Sequence, residues 1–281
     1  MTAEPMRASA AAGDESAPAL PPEWSFRAWL TQSGHLAVRQ LLVWVRDPAT
    51  MMQSLLMPAL AMVMFKVVLG DAVGQATGQN SAYGTVPLVI LLGAMFGSMA
   101  AAVKLNVERG TGLLARLYVL PIHRGADLTS RILAELLRIL LTTVILLFAG
   151  LLIGFRFTQG PWAAVGIVAV ALLYGAAFSM MVLALAVNAK PAAPIVPLLS
   201  LVSSLLMFFN PGFAPLDSYP GWLQWVVANQ PMSPAIEVMR SLALGGPITE
   251  NLLKTIAWAV ALLAIFTYPA LRGYRKAAVD R

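Results

Sequence analysis

WAAVGIVAVALLYGAAFSMMVLALAV, residues 162–187, runs for 26 residues without one charged side chain. A helix of about 20 apolar residues crosses the hydrocarbon core of a bilayer, which is about 30 Å thick. Only a helix or a closed barrel satisfies its own backbone hydrogen bonds in that core. This stretch therefore predicts a transmembrane helix, and it decides the fold class.

Similar apolar runs lie on both sides of this stretch. The chain has 281 residues, of which 59% are hydrophobic and 11% charged, and these values lie outside the range of soluble globular domains. The sequence predicts an all-α integral membrane protein with six transmembrane helices. The predicted spans are residues 50–70, 86–103, 132–155, 162–187, 192–209 and 252–271. Pro194 and Pro197 fall in the first turns of the fifth span, where proline breaks few helical bonds.

Positive charges are distributed unevenly over the predicted loops. With both termini on the inner side, that side collects 15 of the 19 lysines and arginines. The four that remain outside are Lys66, Arg156, Arg240 and Lys254. Cytoplasmic loops are enriched in lysine and arginine, so we expect a multi-pass protein with both termini in the cytoplasm.

Several other functions are disfavoured by the composition. The net charge of +6 follows one membrane face without interleaved aromatic residues, so nucleic acid is not an expected partner. There is no cysteine, which excludes disulfide and thiolate chemistry. His35 and His123 are far apart and lack metal-ligand spacing, so neither a metal nor a cofactor is expected in this chain.

The first fifty residues divide into a tail and an amphipathic segment. Residues 1–22 are rich in Ala, Pro, Ser and charge, which predicts a disordered cytoplasmic tail before a membrane domain at 23–281. Residues 24–46 place apolar and tryptophan side chains at helical spacing, opposite Arg27, Thr31, His35 and Arg39. This pattern predicts a helix in the inner membrane interface, and a helix packed on its own protein fits it equally.

The segment ERGTGLLARLYVLPIHRG, residues 108–125, links the second and third spans on the cytoplasmic side. Gly112 and Pro121 punctuate its ends. Its helical pattern combines an apolar stripe with projecting charges: Leu113, Leu114, Leu117 and Leu120, with Arg109, Arg116 and Arg124. Such a short amphipathic helix is suited either to the membrane surface or to a groove on a soluble partner.

Two short elements are expected between the fifth and sixth spans. GWLQWVVAN, residues 221–229, is apolar but too short to cross, which predicts a re-entrant or interfacial segment on the outer side. Ser233 and Pro234 indicate a helix start and Gly245 a helix stop, so a short external helix should follow. Glu237 and Arg240 can pair within it.

Ionisable residues at the start of the third span predict a structural ion-pair network. Arg131, Glu135 and Arg138 are one helical turn apart, close to the cytoplasmic end of that span, and a proton or substrate relay is the less favoured alternative. No carboxylate is expected at the middle of a span, which argues against a proton-coupled carrier. Gly93, Gly97 and Ala101 form a stripe of small residues that favours close helix packing.

The run ERGTGLLARLYVLPIHRGADLTSRIL resembles the first cytoplasmic loop of type 2 ABC transporter permeases. LIGFRFTQG and LDSYPGWLQWVVANQPMSPAIEVMRSLALGGP extend the resemblance to the daunorubicin/doxorubicin-resistance family, and most to the C-type permease subunits of mycobacterial drug and lipid exporters. The resemblance covers nearly the whole chain after the first twenty or so residues.

This resemblance implies a half-transporter in the bacterial plasma membrane. It would pair with a second, related permease, more readily a distinct chain than an identical one, and with two copies of a separate ABC ATPase that holds ATP and magnesium. The sequence contains no GxxxxGK[ST] phosphate-binding loop. Residues 24–46 match the connecting helix of the family and residues 110–120 its coupling helix. The implied ATPase-coupling residues are Glu108, Arg109, Leu113, Leu114, Arg116, Leu117, Pro121 and Arg124.

The resemblance also implies a substrate path between the second and fifth spans of two subunits. Its candidate lining residues are apolar and adaptable, as a lipid or an amphipathic drug requires: Met95, Phe96, Met99, Leu205, Met207, Phe208, Phe209 and Asn210. Ordinary packing or lipid contact explains the same residues.

The expected function is therefore that of a permease subunit without chemistry of its own, in an ATP-driven exporter of a hydrophobic or amphipathic substrate. A membrane scaffold or assembly subunit without transport is the alternative. An intramembrane enzyme is disfavoured, since no His, Cys or paired-carboxylate constellation lies within the predicted spans.

Overall fold

The computed structural model describes residues 25–113, 123, 125–189 and 195–279. The predicted tail at 1–22 lies outside the described residues, as does most of the predicted coupling helix at 110–120, called the docking segment below. The helices are α1 Phe26–Arg46, α2 Pro48–Met51, α3 Met57–Thr77, α4 Ala82–Gly110, α5 Ala126–Leu152, α6 Pro161–Asn188, α7 Ile195–Phe208, α8 Gly221–Asn229, α9 Met232–Leu244 and α10 Thr249–Val279.

Five candidate spans in the described residues are long and apolar enough to cross a membrane: Pro48–Val68, Ala82–Gly110, Ala126–Leu152, Pro161–Asn188 and Thr249–Tyr274. The prediction of an all-α, multi-pass membrane protein is confirmed. The predicted span at 192–209 corresponds to α7, which has 14 residues and is about 21 Å long. Pro197 is the third residue of α7, so the helix begins where a proline fits the first turn.

The first span is interrupted near its start by a π-helical turn at Met52–Leu56. Pro58 follows as the second residue of α3 and has no N–H to donate to the carbonyl of Ser54. The turn therefore widens at the point where one helical hydrogen bond cannot form.

Helix α4 is the centre of the bundle. Its apolar window is 78% buried, the highest value among the candidate spans. It packs against α5, α6 and α9, and α6 in turn packs along α10. The buried side chains of α4, α5, α6 and α9 form one continuous apolar core.

Helix α1 packs on α5 through small residues and keeps an apolar stripe exposed. Ala28, Ser33 and Ala37 are buried against the bundle. The indole N–H of Trp29 donates to Thr129 Oγ1 over 3.2 Å, and that of Trp44 to Ser54 Oγ over 3.2 Å. The exposed stripe consists of Phe26, Leu30, Val38, Leu42 and Val45. The packing of this helix on its own protein is therefore observed, with Trp29 and Trp44 facing the protein, and its place in the membrane interface stays a prediction.

The opposite end of the bundle carries the two short elements expected from the sequence. Helix α8 exposes Trp222 and Trp225, and helix α9 ends before Gly245, whose φ of 90° is in the region that favours glycine. Glu237 accepts a hydrogen bond of 2.8 Å from Arg240, so the predicted pair is confirmed.

Candidate functional site

The candidate site lies where α4 ends and the chain enters the predicted docking segment. Helix α4 ends at Gly110, and Gly112 takes a φ of 72°, a left-handed conformation that glycine adopts without a steric penalty. Leu113 is half-buried. The other predicted residues of this segment lie outside the described residues: Leu114, Arg116, Leu117, Pro121 and Arg124.

Four charged side chains, here called the Arg131 cluster, surround the end of α4. Nη2 of Arg131 lies 2.6 Å from Oε2 of Glu108, and its Nε lies 3.2 Å from Oδ2 of Asp127. Nη2 of Arg39 lies 4.0 Å from Oε1 of Glu108. The side chains of Arg131, Glu108 and Asp127 are each less than 15% exposed, so solvent screens their contacts only partly.

Arg131 connects several helices at once. Its guanidinium carbon lies 5.7 Å above the ring centroid of Tyr274 in α10, a cation–π contact. Arg131 also contacts Glu108 of α4, and Glu108 in turn contacts Arg39 of α1, so Arg131 and Glu108 together link α1, α4, α5 and α10. The predicted pair between Arg131 and Glu135 is wrong. Arg131 pairs with Glu108 of the neighbouring helix, and Glu135 pairs with Arg138.

Arg109 fixes the end of α4 to the end of α6. Its Nη1 donates to the carbonyl oxygens of Val187 and Ala189, over 3.1 Å and 2.8 Å. The last carbonyls of a helix have no donor within the helix, so an arginine is a suitable partner for them. Arg109 is therefore engaged inside the chain.

A second ion pair lies deeper in the bundle. Arg138 donates from Nε to Glu135 Oε2 over 2.9 Å and from Nη2 to Oε1 over 2.5 Å. Ser98 and Ser179 also donate to the Glu135 carboxylate, over 2.6 Å and 3.3 Å. The carbonyls of Gly93 and Ala94 accept from Arg138. The predicted Glu135–Arg138 pair is confirmed, and its hydrogen bonds are satisfied within the chain.

The depth of this pair differs from the prediction. Helix α5 begins at Ala126 rather than near residue 132, and Arg138 is therefore its thirteenth residue of 27. The pair contacts Ala94 and Ser98, near the middle of α4. A carboxylate thus does lie well inside a span, contrary to the expectation, because the apolar run alone underestimated how far α5 extends at its start.

Gly97 makes room for the guanidinium of Arg138. A Cβ atom at this position would lie 1.9 Å from Arg138 Cζ, closer than any real contact. Close packing is thus observed at Gly97, where the packing group is a charged side chain, whereas Ala101 of the same stripe is exposed.

The predicted path residues fall into three groups. Met95 and Asn210 are fully buried: Tyr174 OH lies 3.3 Å from the sulfur of Met95, and Asn210 Oδ1 accepts the N–H groups of Gly212 and Phe213. Leu205, Phe208 and Phe209 are exposed on α7 and at its end. The remaining three are buried or half-buried between α4 and α7: Phe96, Met99 and Met207. A path between two subunits stays a prediction.

Among the described residues, no group of three His, Cys, Asp or Glu side chains could hold a metal ion. The geometry instead defines a class. This is a multi-pass helical membrane protein whose described ion pairs between different helices lie at the end of α4, next to the docking segment.

Comparison with known proteins gives the family. The family model described as ABC-2 type transporter matches residues 31–244. The chain belongs to this family.

The chain is also similar to several ABC transporter permease proteins over most of its length. It is 39% identical over 239 residues to the probable doxorubicin resistance ABC transporter permease protein DrrC of Mycobacterium tuberculosis, which covers 85% of this chain and 86% of that protein. It is 26% identical over 237 residues to the daunorubicin resistance ABC transporter permease protein DrrB1 of Streptomyces coeruleorubidus, covering 84% and 83%. It is 26% identical over 202 residues to DrrB of Mycobacterium tuberculosis, covering 68% and 69%. These findings support a membrane permease of an ABC exporter.

Proposed function

We propose that this chain is the permease subunit of an ATP-driven exporter that moves a hydrophobic or amphipathic substrate outward across the bacterial plasma membrane. One observation carries the proposal. The residues directly before the predicted docking segment, Glu108 and Arg109, are tied to α1, α5 and α6, and through Arg131 to α10. A displacement of this segment would reach most of the bundle through direct contacts.

Residues 110–120 are the element that contacts the ATPase in this proposal. Leu113, Leu114 and Leu117 are the docking anchors and Arg116 is the charged contact, with Pro121 and Arg124 following. Glu108 and Arg109 do not contact the ATPase in this proposal. They transmit the movement of the segment to the bundle, since their side chains bind α5 and α6. Coupling through direct contacts requires side chains that can adopt two arrangements. Ion pairs between helices meet this requirement, because their members can change partners when the helices move.

ATP and magnesium belong to a separate ATPase subunit, present in two copies. The sequence offers no GxxxxGK[ST] loop that would bind phosphates. The permease contributes movement and a path, and it performs no bond chemistry. The side that carries α1 and the Arg131 cluster faces the cytoplasm, where both termini lie, because the lysines and arginines concentrate there.

Helix α7 provides the fifth of six crossings. Helix α6 ends beside Arg109, near the cytoplasmic end of α4. Helix α7 ends at the opposite side, where a Cβ atom added to Gly212 would lie 2.8 Å from the Gly84 carbonyl oxygen, near the start of α4. The positions of these two helix ends support a crossing by α7.

A second, related permease would cover the outward faces of α3 and α7. Leu198, Leu201 and Leu205 of α7 are each at least half exposed. We place the substrate path on this side, lined by Phe96, Met99, Leu205, Met207, Phe208 and Phe209. Adaptable methionine and phenylalanine side chains suit drugs and long-chain lipids alike, and the names of the relatives refer to doxorubicin and daunorubicin.

Two measurements test this function against a scaffold without transport. The tagged chain should co-purify with a P-loop ATPase, and Leu117→Asp should keep the chain in the membrane while reducing export of doxorubicin from cells at least tenfold. Membrane fractionation of the Leu117→Asp chain, together with its co-purification with the partner permease, controls for insertion and assembly. Export that is unchanged by Leu117→Asp would refute the docking assignment. Failure to recover an ATPase under conditions that retain the partner permease would favour the scaffold.

A further inference from the structure

A cavity of about 370 Å³ opens between α1 and the bundle formed by α4, α5 and α6. Gln40, Leu41 and Trp44 of α1 form one wall, and α4 forms the opposite wall from Gly97 to Val107. The volume is in the range of small-molecule sites in proteins. It lies beside the predicted interfacial helix, away from α7 and the proposed path.

The cavity is long and mainly apolar. The distance along α4 from Gly97 to Val107 is about 15 Å at the usual helical rise. Its deep end is closed by Glu135 and Arg138, whose hydrogen bonds are made to each other, to serines and to backbone. The apolar walls include Ala100, Ala101, Val103, Ile132, Val182 and Leu183. This shape accepts an extended hydrocarbon chain without leaving a protein polar group unsatisfied.

The mouth of the cavity carries a positive charge without a close partner. Lys104 is half-buried on the cavity wall. Within the described part of the chain, its Nζ makes no hydrogen bond and no carboxylate oxygen lies within 4.0 Å of it. Glu108, one turn further along α4, is held by Arg131 at 2.6 Å.

Asp47, across the mouth, is already engaged as a helix cap. Its carboxylate accepts the backbone N–H groups of Ala49 and Thr50 and the hydroxyl of Thr50. The Thr50 hydroxyl contributes most to lowering the pKa of this carboxyl below its usual value of 3.8. A half-buried ammonium group beside an apolar cavity is thus left to pair with an external anion.

We propose that this cavity binds one hydrocarbon chain of an anionic membrane lipid, whose phosphodiester group pairs with Lys104. Arg39, 44% exposed at the same end, adds positive potential that favours a lipid of net negative charge over a zwitterionic one. Free phosphate would leave the apolar length unfilled. The bound lipid would fix α1 to α4 and α5, independently of any ATPase or exported substrate, so this site does not depend on the proposed function.

The test measures lipid retention by the full-length chain. The chain is purified in detergent, stripped of lipid, and offered phosphatidylglycerol or phosphatidylcholine with identical acyl chains, and bound lipid is counted by native mass spectrometry. Both lipids carry a phosphodiester, but the choline ammonium of phosphatidylcholine would lie beside Lys104 and Arg39. We therefore expect the chain to prefer phosphatidylglycerol by about tenfold. Inorganic phosphate at the same concentration should not displace the lipid.

Five variants separate the charge from the cavity. Lys104→Ala should abolish the preference, and Lys104→Arg should restore it. Ala101→Phe should fill the cavity and reduce retention of both lipids, while Val67→Phe on the exposed face of α3 should change neither. Lys254→Ala, which removes a lysine at the other end of the bundle, is the charge control.

The proposal is overturned by equal retention of the two lipids in the unaltered chain, or by a preference that survives Lys104→Ala. Displacement by inorganic phosphate would show an anion site without a chain-binding cavity, which also contradicts it. A misfolded Ala101→Phe chain is recognised by its elution as aggregate, and the Lys104 pair of variants then decides the outcome.

Discussion

The two ion-pair sites of this protein differ in what surrounds them. The Glu135–Arg138 pair is buried in the middle of the bundle, and serines and the α4 backbone complete its hydrogen bonds. The Arg131 cluster lies at the end of the bundle, and Arg39 in it is partly exposed to solvent. Its residues come from α1, α4 and α5, and Arg131 also contacts Tyr274 of α10. The first site is closed and holds one arrangement. The Arg131 cluster consists of ion pairs whose members can change partners, and it lies beside the docking segment.

The largest expected effect comes from breaking the closed pair. Arg138→Ala leaves the Glu135 carboxylate buried without its cation, which should reduce the free energy of unfolding by about 3–5 kcal/mol. Thermal unfolding of the purified chain in micelles, followed by size-exclusion chromatography, measures this. The double variant Glu135→Gln with Arg138→Met should recover part of the loss. If Arg138→Ala unfolds at the temperature of the unaltered chain, the pair is not the fixed site described above.

A smaller effect is expected from crowding the same pair. Gly97→Ala places a Cβ atom 1.9 Å from the Arg138 side chain, and overpacking of this kind costs about 1–3 kcal/mol. Gly34→Ala is the matched control, because nothing lies within 4 Å of an added Cβ there. The control should stabilise helix α1 by about 0.5–1 kcal/mol. Equal unfolding midpoints for the two variants would contradict the close approach of Arg138 to α4.

The open cluster should contribute less to stability than the closed pair. Arg131→Gln removes the contacts to Glu108 and Asp127, and we expect a loss of about 1–2 kcal/mol, since solvent partly replaces them. The same micelle experiment reports it. A loss as large as that of Arg138→Ala would mean that both sites serve the fold alike, and the comparison would fail.

The smallest effect is expected at an exposed ion pair. Glu250 and Lys254 are 2.7 Å apart in α10, but Glu250 is 80% exposed. Exposed pairs contribute little to stability, because water and salt screen them. Glu250→Gln should therefore shift the unfolding midpoint less than any variant above, and a larger shift than that of Arg131→Gln would contradict the ranking by burial.

Local sequence patterns were sufficient to predict much of the fold. The apolar runs predicted the long helices, and Ser233 and Gly245 predicted the bounds of α9 to within a residue. These features depend on composition and turn residues within one segment. The length of α5 was underestimated, since its first turns carry Asp127 and Arg131, charges that an apolar run excludes although they belong to the same helix.

Partner choice between helices could not be predicted. Helical spacing favours an ion pair between Arg131 and Glu135 as much as one between Glu135 and Arg138. It contains no information on Glu108, which is 23 residues from Arg131 in the sequence. The open charge of Lys104 was missed for the same reason. The one available signal was Gly97, whose missing side chain admits Arg138, but a stripe of small residues does not reveal what packs on it.

The central proposal is that movement of an ATPase is transmitted to the end of α4, and from there to the other helices through the contacts of Glu108. It is tested most directly by ATP-driven doxorubicin uptake into inside-out vesicles that contain the purified complex, measured together with ATP hydrolysis. Glu108→Gln should leave the ATPase bound and hydrolysing ATP, while uptake per ATP falls at least tenfold. Uptake per ATP equal to that of the unaltered complex would contradict the account.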